Sequence, residues 1–543
     1  MNKIIFILLC CGLAYCAHAQ TTPSKTAQMD ALLSAYTHLN QFNGSVLVAQ
    51  KGKILLQKGY GVKNAETKRP NDANSIFLIY SVTKTLTATL VFKLVEEGKL
   101  SLSDRLSKFF PNFPKSDSIT LEHLLTHTSG LYDFTRGNTM TDHSETSFLA
   151  FLETQPLDFS PGTSWRYSNS GYFLLGFVIA KVTGMPYEKA VKQYIFDPLG
   201  MTHSGFDFKH LASRDKTTGY AVFSAEKRPS AVWSDSTGPF AAGAIYSTVG
   251  DLYRYHRGLQ RGKIIRPETL KKATTPSVQN EGYGYGWQLG RAHDKTIVSH
   301  SGGGDGYRSN FVRIPEDDVC VVLLNNTENA NTDLLTNALL DVLYDKPYKV
   351  PFEVPVDRAV LERYTGTYQV DAPPLVFYIN VEQGRLTATV SGQPQTVLLA
   401  EREDYFFAPD ANAYLEFPKD TQGLYNKILI QQGGRSYSGK RIYPTWGLLG
   451  SATPKGWGGA SPDLPFAELP DQKGVWVLNG VALSTGEIKF RFNNDWNVNY
   501  GDQDGDQILD WYGENIKVEA GVYDVLLDFR VEERAVYSIS RKE

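Results

Sequence analysis

Apolar residues at Val82, Leu86, Leu90 and Leu94 recur at helical spacing and predict a helix that opens near Ser81 and stops at Gly98. Helical patterning also marks residues 26–40, 171–183, 249–259 and 331–343. Residues 44–49 and 53–60 alternate as strands around the turn Gln50-Lys51-Gly52, and 282–289, 296–300, 311–314 and 319–324 also read as strands. Strands at both ends with helices between them predict one α+β unit with a mostly antiparallel sheet over residues 26–345.

The pattern then changes. Residues 346–356 hold three prolines and little periodicity, which predicts a linker. Beyond it, 375–381, 385–390, 396–400, 404–407, 413–417 and 427–431 are short, alternating and separated by turns. They predict an up-and-down sheet or small barrel over 357–443. A Gly-, Pro- and Ser-rich stretch at 444–470 reads as a second linker, and 471–543 reads as a final all-strand domain.

Composition changes this picture little. Over 543 residues, 42% hydrophobic and 21% charged, a packed core is expected rather than disorder. A net charge of −3 gives no electrostatic case for nucleic acid. The N-terminus matters more. Lys3, an apolar run to Ala17 and the sequence Ala17-His18-Ala19 read as a signal peptide over 1–19, so a periplasmic or secreted protein is expected, with no transmembrane segment after cleavage. A lipoprotein reading at Cys16 is disfavoured by Tyr15, where a small residue belongs. Cys10, Cys11 and Cys16 leave with the leader, and Cys320, among Val319, Val321 and Val322, reads as core rather than nucleophile.

The candidate chemistry starts at Ser81-x-x-Lys84. Residues three apart share a helical face, so the lysine amine reaches the serine hydroxyl, as an amine-activated nucleophile requires. Tyr167 and Asn169 alternate along an extended segment delivered by the turn Ser160-Pro161-Gly162, and point to one side of it. His300-Ser301-Gly302-Gly303 follows a strand. His123 and His127, four apart, invite a shared helical face, but a third metal ligand does not stand out. No G-x-S-x-G elbow occurs.

Ser81-x-x-Lys84, Tyr167-x-Asn169 and His300-Ser301-Gly302, in that order, resemble the three motifs of the active-site serine penicillin-recognising enzymes. Leu124 to Leu131, Pro161-Gly162-x-x-Trp165, Pro198-Leu199-Gly200-Met201 and Tyr283-Gly284-Tyr285-Gly286-Trp287 extend the likeness across about residues 30–345. The segment is similar to the β-lactamase-related serine hydrolases: class C β-lactamases, D-alanyl-D-alanine carboxypeptidases, esterases and aminopeptidases. The resemblance implies their fold, an antiparallel sheet flanked by helices plus a helical subdomain. It implies Ser81 as nucleophile, Lys84 and Tyr167 as proton-handling groups, and Asn169, His300, Ser301, Gly302 and Gly303 around the substrate, with the backbone N–H groups of Ser81 and Gly303 as oxyanion hole. Whether Lys84 or Tyr167 takes the serine proton is open at this level. No cofactor or metal is expected.

The third motif departs from the β-lactamase pattern, because His300 stands where most true β-lactamases keep a lysine. A neutral histidine holds a substrate carboxylate less firmly, which favours a peptidase or esterase on D-amino-acid peptides or small esters over a β-lactamase. Arg308 is a candidate source of positive charge for the substrate. Residues 357–443 resemble a lipocalin-like domain, and 471–543 resemble the β-sandwiches of starch-binding outer-membrane proteins. This last likeness implies a possible glycan or cell-surface contact through Trp496 and Trp511, and with it the alternative of a binding protein with a vestigial hydrolase. Asp502, Asp504, Asp506 and Asp510 invite a calcium reading, but Gln507 stands where an EF-hand loop needs Gly, so a solvated hairpin loop is expected.

Overall fold

A computed structural model describes residues 23–542, apart from 137–139, 141, 222, 224–227, 232–237, 329, 372–373, 391–392, 394, 410, 412, 433–434, 443–444, 458–462, 473, 493–494 and 531–534. The leader expected over 1–19, with its three cysteines, lies outside the described residues. Two compact units divide at Glu353/Val354.

The first unit carries α1 (Lys25–His38), β1 (Gly44–Gln50), β2 (Lys53–Tyr60), α2 (Thr83–Glu96), α3 (Leu121–Leu125), α4 (Asn169–Thr183), α5 (Phe240–Gly243), α6 (Val249–Gln260), β3 (Gln288–Ala292), β4 (Lys295–Gly304), β5 (Tyr307–Ile314), β6 (Val319–Asn325) and α7 (Thr332–Leu343). Its sheet is antiparallel throughout, in the order β2-β1-β6-β5-β4-β3.

The central strands read as continuous apolar runs because both faces are covered. Alternate residues go to different cores. Leu47, Ala49, Cys320, Val322 and Leu324 join the large core that contains α2 and α4. Val46, Val48, Val319, Val321 and Leu323 join a second core with α1 and α7. Cys320 is fully buried, and burial pushes its thiol above the ordinary range, as expected of a core cysteine.

Helix α2 is buried nearly all round, beyond the single apolar stripe of Val82, Leu86, Leu90 and Leu94. Threonines fill its other faces and find partners. Thr85 donates to the Val82 carbonyl, Thr87 to the Ala241 carbonyl, and Thr89 pairs with Tyr255. Two sequence expectations shift here. Ser81 sits in a 3-10 turn, Tyr80–Val82, that leads into α2, rather than in its first α turn. The segment 282–289 is mostly turn, and the strand comes later, at β3.

The second unit begins with α8 (Arg358–Tyr364), inside the region expected to be all strand. Eight strands follow and close into a barrel, each pairing with the next in sequence and the last with the first. They are β7 (Gly366–Asp371), β8 (Pro374–Glu382), β9 (Arg385–Val390), β10 (Thr396–Arg402), β11 (Tyr405–Ala408), β12 (Ala413–Glu416), β13 (Lys427–Gln432) and β14 (Arg435–Ile442). Alternate side chains such as Tyr368, Ile379, Leu386, Leu398, Phe406 and Ile428 fill the interior. Tyr364 of α8 stacks on Phe417, with ring centroids 4.8 Å apart.

The stretch 444–470, expected to be a linker, instead supplies strands to the last fold. Trp446–Leu449 (β15) pairs with Gly486–Phe492, and Leu464–Pro465 and Ala467–Glu468 add an edge to each of two sheets. Trp446 is buried and stacks on Phe529 at 4.5 Å. Its neighbours are Gly- and Pro-rich, which hid a four-residue strand from the sequence pattern. A buried ion pair, Arg491 to Asp463, crosses within this fold with both nitrogens 2.6–2.8 Å from the carboxylate.

Candidate active site

The site gathers where α2, α4, α5 and the end of β4 meet. The Tyr80–Val82 turn is pressed onto β4. Ser309 Oγ donates to the Ile79 carbonyl at 2.8 Å, and a Cβ at Gly302 would lie 2.3 Å from that oxygen and 3.0 Å from the Ser81 nitrogen. Only glycine fits there. Four residues with a left-handed backbone surround the site, and none is glycine: Tyr80 (φ 43°), His127 (59°), Phe240 (33°) and Asp305 (23°). Bulky residues rarely hold this conformation unless the packing around them enforces it.

Lys84 has no exposed surface. Its Nζ lies 2.9 Å from Ser81 Oγ, 2.8 Å from Asn169 Oδ1 and 2.8 Å from the Ala242 carbonyl. Burial lowers its pKa to about 7, against a smaller opposing pull from Asp133. Tyr167 Oη donates to Ser81 Oγ at 2.9 Å. Desolvation raises the phenol above its ordinary value, so the tyrosinate is disfavoured.

These positions assign the protons. A protonated lysine donates to all three neighbours. The neutral amine keeps two donors, on Asn169 and Ala242, and turns its lone pair toward the Ser81 hydroxyl. Tyr167 then remains a donor to the serine oxygen. Of the two groups, the lysine amine is the one brought near neutrality and the phenol the one pushed up.

Asn169 is expected from the sequence at the substrate. Within the protein its amide sets Oδ1 on Lys84 and donates from Nδ2 to Asp133 at 3.1 Å. The Asp133 carboxylate also accepts the Asn169 backbone N–H at 3.1 Å, which fixes the amide's orientation. Asp133 went unnoticed in the sequence. Its only signal is a carboxylate two residues beyond Leu131, at the end of the Thr126–Leu131 run that forms this wall.

His300 is buried, with Nε2 3.0 Å from Tyr283 Oη and Nδ1 2.7 Å from the Ser301 carbonyl. Desolvation, then Lys84, brings its pKa down to about 3. Both ring nitrogens have partners within the protein. Ser301 to Gly304 lie within β4 rather than in a loop after it. Strand β3 covers β4 only as far as Ser299, so the edge from His300 onward is open. The Ser301 N–H donates across that edge to Gln288 Oε1 at 3.0 Å. Residues two apart in a strand point the same way, so the exposed Gly303 presents its N–H to the open edge beside Ser81. Arg308 pairs with Gly303 across the sheet, and its Nη1 donates to the Tyr307 carbonyl at 2.9 Å.

His123 and His127 do not share a helical face. Helix α3 ends at Leu125, and His127 lies past its C-cap with a left-handed backbone. His123 instead accepts the Thr120 N–H at the start of that helix, at 3.3 Å. Among the described residues, the grouping suited to a cation is Asp502, Asp504 and Asp510, remote from this chemistry in sequence. Asp502 is occupied by the Gly505 and Gln507 N–H groups and the Tyr537 hydroxyl, as a hairpin loop holds itself. No helix among the described residues is long and apolar enough to cross a membrane.

The sequence profile of the Beta-lactamase family matches residues 29–346. Penicillin-binding protein 4* of Bacillus subtilis (strain 168) is 30% identical over 445 residues, covering 76% of this chain and 97% of that protein. The octameric penicillin-binding protein homologue from Pyrococcus abyssi superposes with a TM-score of 0.56 at 26% identity, covering 76% of this chain and 99% of that one. The D-amino acid amidase from Ochrobactrum anthropi SV3 shares the fold, with a TM-score of 0.53 at 23% identity over 60% of this chain and 99% of its own. With the three motifs meeting around one serine, the chain belongs to the Beta-lactamase family of serine hydrolases.

Proposed function

We propose that this protein is an exported hydrolase that cleaves D-amino-acid amides, D-amino-acid peptides or small esters through an acyl-enzyme on Ser81. The observation that carries the reading is the pair of contacts at Ser81 Oγ, 2.9 Å from Lys84 Nζ and 2.9 Å from Tyr167 Oη, with the amine titrating near neutrality.

In this reading the neutral Lys84 takes the Ser81 proton as Oγ bonds to the substrate carbonyl carbon. The N–H groups of Ser81 and Gly303 stabilise the oxyanion. Collapse breaks the bond to the leaving amine or alcohol. That group takes a proton from Tyr167, which recovers one from Lys84. Water then attacks the ester with the same lysine as base and frees Ser81. The buried, neutral His300 supplies no charge for a substrate carboxylate, which supports amide and ester substrates over efficient β-lactam turnover. The D-amino acid amidase among the fold neighbours points the same way. Export rests on the apolar N-terminal run before Ala17-His18-Ala19, which suits a periplasmic or secreted enzyme. In the C-terminal fold Trp496 and Trp511 are exposed, which supports a sugar-contacting role for that part of the chain.

Mass spectrometry of the intact protein, with and without Ser81→Ala, tests the chemistry against D-amino-acid amides, activated esters and a β-lactam panel. An adduct that appears on the native chain and vanishes in the variant is expected. Equal turnover by both would remove Ser81 from the mechanism. Retention of the protein on insoluble glycans, lost in Trp496→Ala with Trp511→Ala, checks the sugar contact.

A further inference from the structure

Two buried histidines and a buried tyrosine form a chain whose ends are both backbone groups. At one end the Ser168 N–H lies 3.1 Å from His127 Nδ1. His127 Nε2 is 3.0 Å from Tyr283 Oη, which is 3.0 Å from His300 Nε2. At the other end His300 Nδ1 is 2.7 Å from the Ser301 carbonyl.

The ends dictate the direction. A backbone N–H only donates, so His127 Nδ1 accepts and the neutral ring carries its hydrogen on Nε2. That hydrogen goes to Tyr283 Oη. The tyrosine's own hydrogen goes to His300 Nε2, which places the His300 hydrogen on Nδ1. Nδ1 meets a carbonyl, which only accepts. Both fixed ends therefore demand the same polarity. A charged His127 would set a donor against the Ser168 N–H.

We propose that His127 and Tyr283 are positioning residues, which hold His300 as its neutral Nδ1–H tautomer and lock the Tyr167 segment to the open edge of β4. Ser168 lies between Tyr167 and Asn169, and Ser301 lies two residues before Gly303. The chain thus sets the distance between the hydroxyl that serves Ser81 and the N–H that meets the oxyanion. The titratable groups facing the two rings are Lys84, Tyr167, Tyr172 and Tyr283, together with each other. None is a carboxylate, and the one cation disfavours charging either ring. The kinetic part of the inference rests on Ser81 acylation, and the tautomer part does not.

The test has two arms. In the full chain labelled with ¹⁵N-histidine, long-range ¹H–¹⁵N spectra report each tautomer, assigned with single histidine variants. His300 is expected protonated at Nδ1, His127 at Nε2, and both neutral from pH 8 to pH 5. His300 protonated at Nε2, or either ring charged at pH 6, would overturn the proposal. In the second arm Tyr283→Phe keeps the ring and removes the bridging hydroxyl. A fall in kcat of about tenfold or more, with KM changed less, is expected together with mixed His300 tautomers. Unchanged kcat with a scrambled tautomer would deny the chain its positioning role. An acylating probe separates the two readings: failure to label Ser81 in the native chain would sink the proposed mechanism and leave the tautomer result standing on its own.

Discussion

In the proposed mechanism Lys84 is the residue on which the chemistry turns, and its pKa fixes the direction of the pH response. Burial lowers it to about 7, so the free amine is present above that pH and is lost as pH falls through it. The rate constant kcat/KM is expected to drop on the acid side with an ionisation near 7, measured between pH 5 and 9. A rising limb only near pH 10 would assign the proton to the phenol instead. Asp133 acts one step back, by turning the Asn169 amide so that Oδ1 faces the lysine. Asp133→Ala is expected to lower kcat about 10- to 100-fold with little change in KM, from the loss of charge-assisted hydrogen bonds. Steady-state kinetics on one amide substrate decides it. Ser81 and Lys84 were singled out by residue type and spacing and Tyr167 by the family resemblance, and the structure brings the three together. Asp133, His127 and Tyr283 were not legible in these roles, because their partners lie far away in the chain and meet only through packing.

Among the elements, the contact between the Tyr80–Val82 turn and β4 leaves no room for a side chain. Gly302 allows it, since any Cβ would strike the Ile79 carbonyl at 2.3 Å. Gly302→Ala is expected to cut kcat/KM at least about 100-fold while most of the sheet survives, with a melting temperature lower by several degrees. Activity near the native level would mean that the turn has slack. The pattern of α2 and the central strands was readable because their apolar periods are strong. The glycines after His300 read as a loop, yet they belong to β4, because pairing with β5 outweighs the weak strand preference of glycine. In the last fold, Arg491 is buried against Asp463. Arg491→Ala breaks this buried ion pair, and a loss of about 3–5 kcal/mol from that fold's stability is expected by denaturant melting.

Across the whole molecule, each of the two units closes its own cores. A chain ending at Glu353 retains Ser81, Lys84, Tyr167, Asn169 and Gly303, and is expected to fold and to hydrolyse a small ester within about threefold of the full chain. A loss beyond that would give residues 354–543 a part in the reaction itself. The broad plan, a mixed first unit followed by all-β folds, was visible in the shift of pattern after residue 346. The boundary at 444–470 was misread because turn-forming residues outnumber the few apolar ones that make β15.

The depth of Lys84 makes reactivity a late product of folding. In an unfolded chain its amine returns to the ordinary range near roughly 10.4, stays charged at neutral pH, and leaves Ser81 an unremarkable alcohol. In the proposed mechanism a partly unfolded chain is therefore chemically mute, and acquires a nucleophile only when the large core closes around the lysine. Acylation of Ser81 by a covalent probe consequently counts native molecules, so the enzyme carries its own gauge of foldedness.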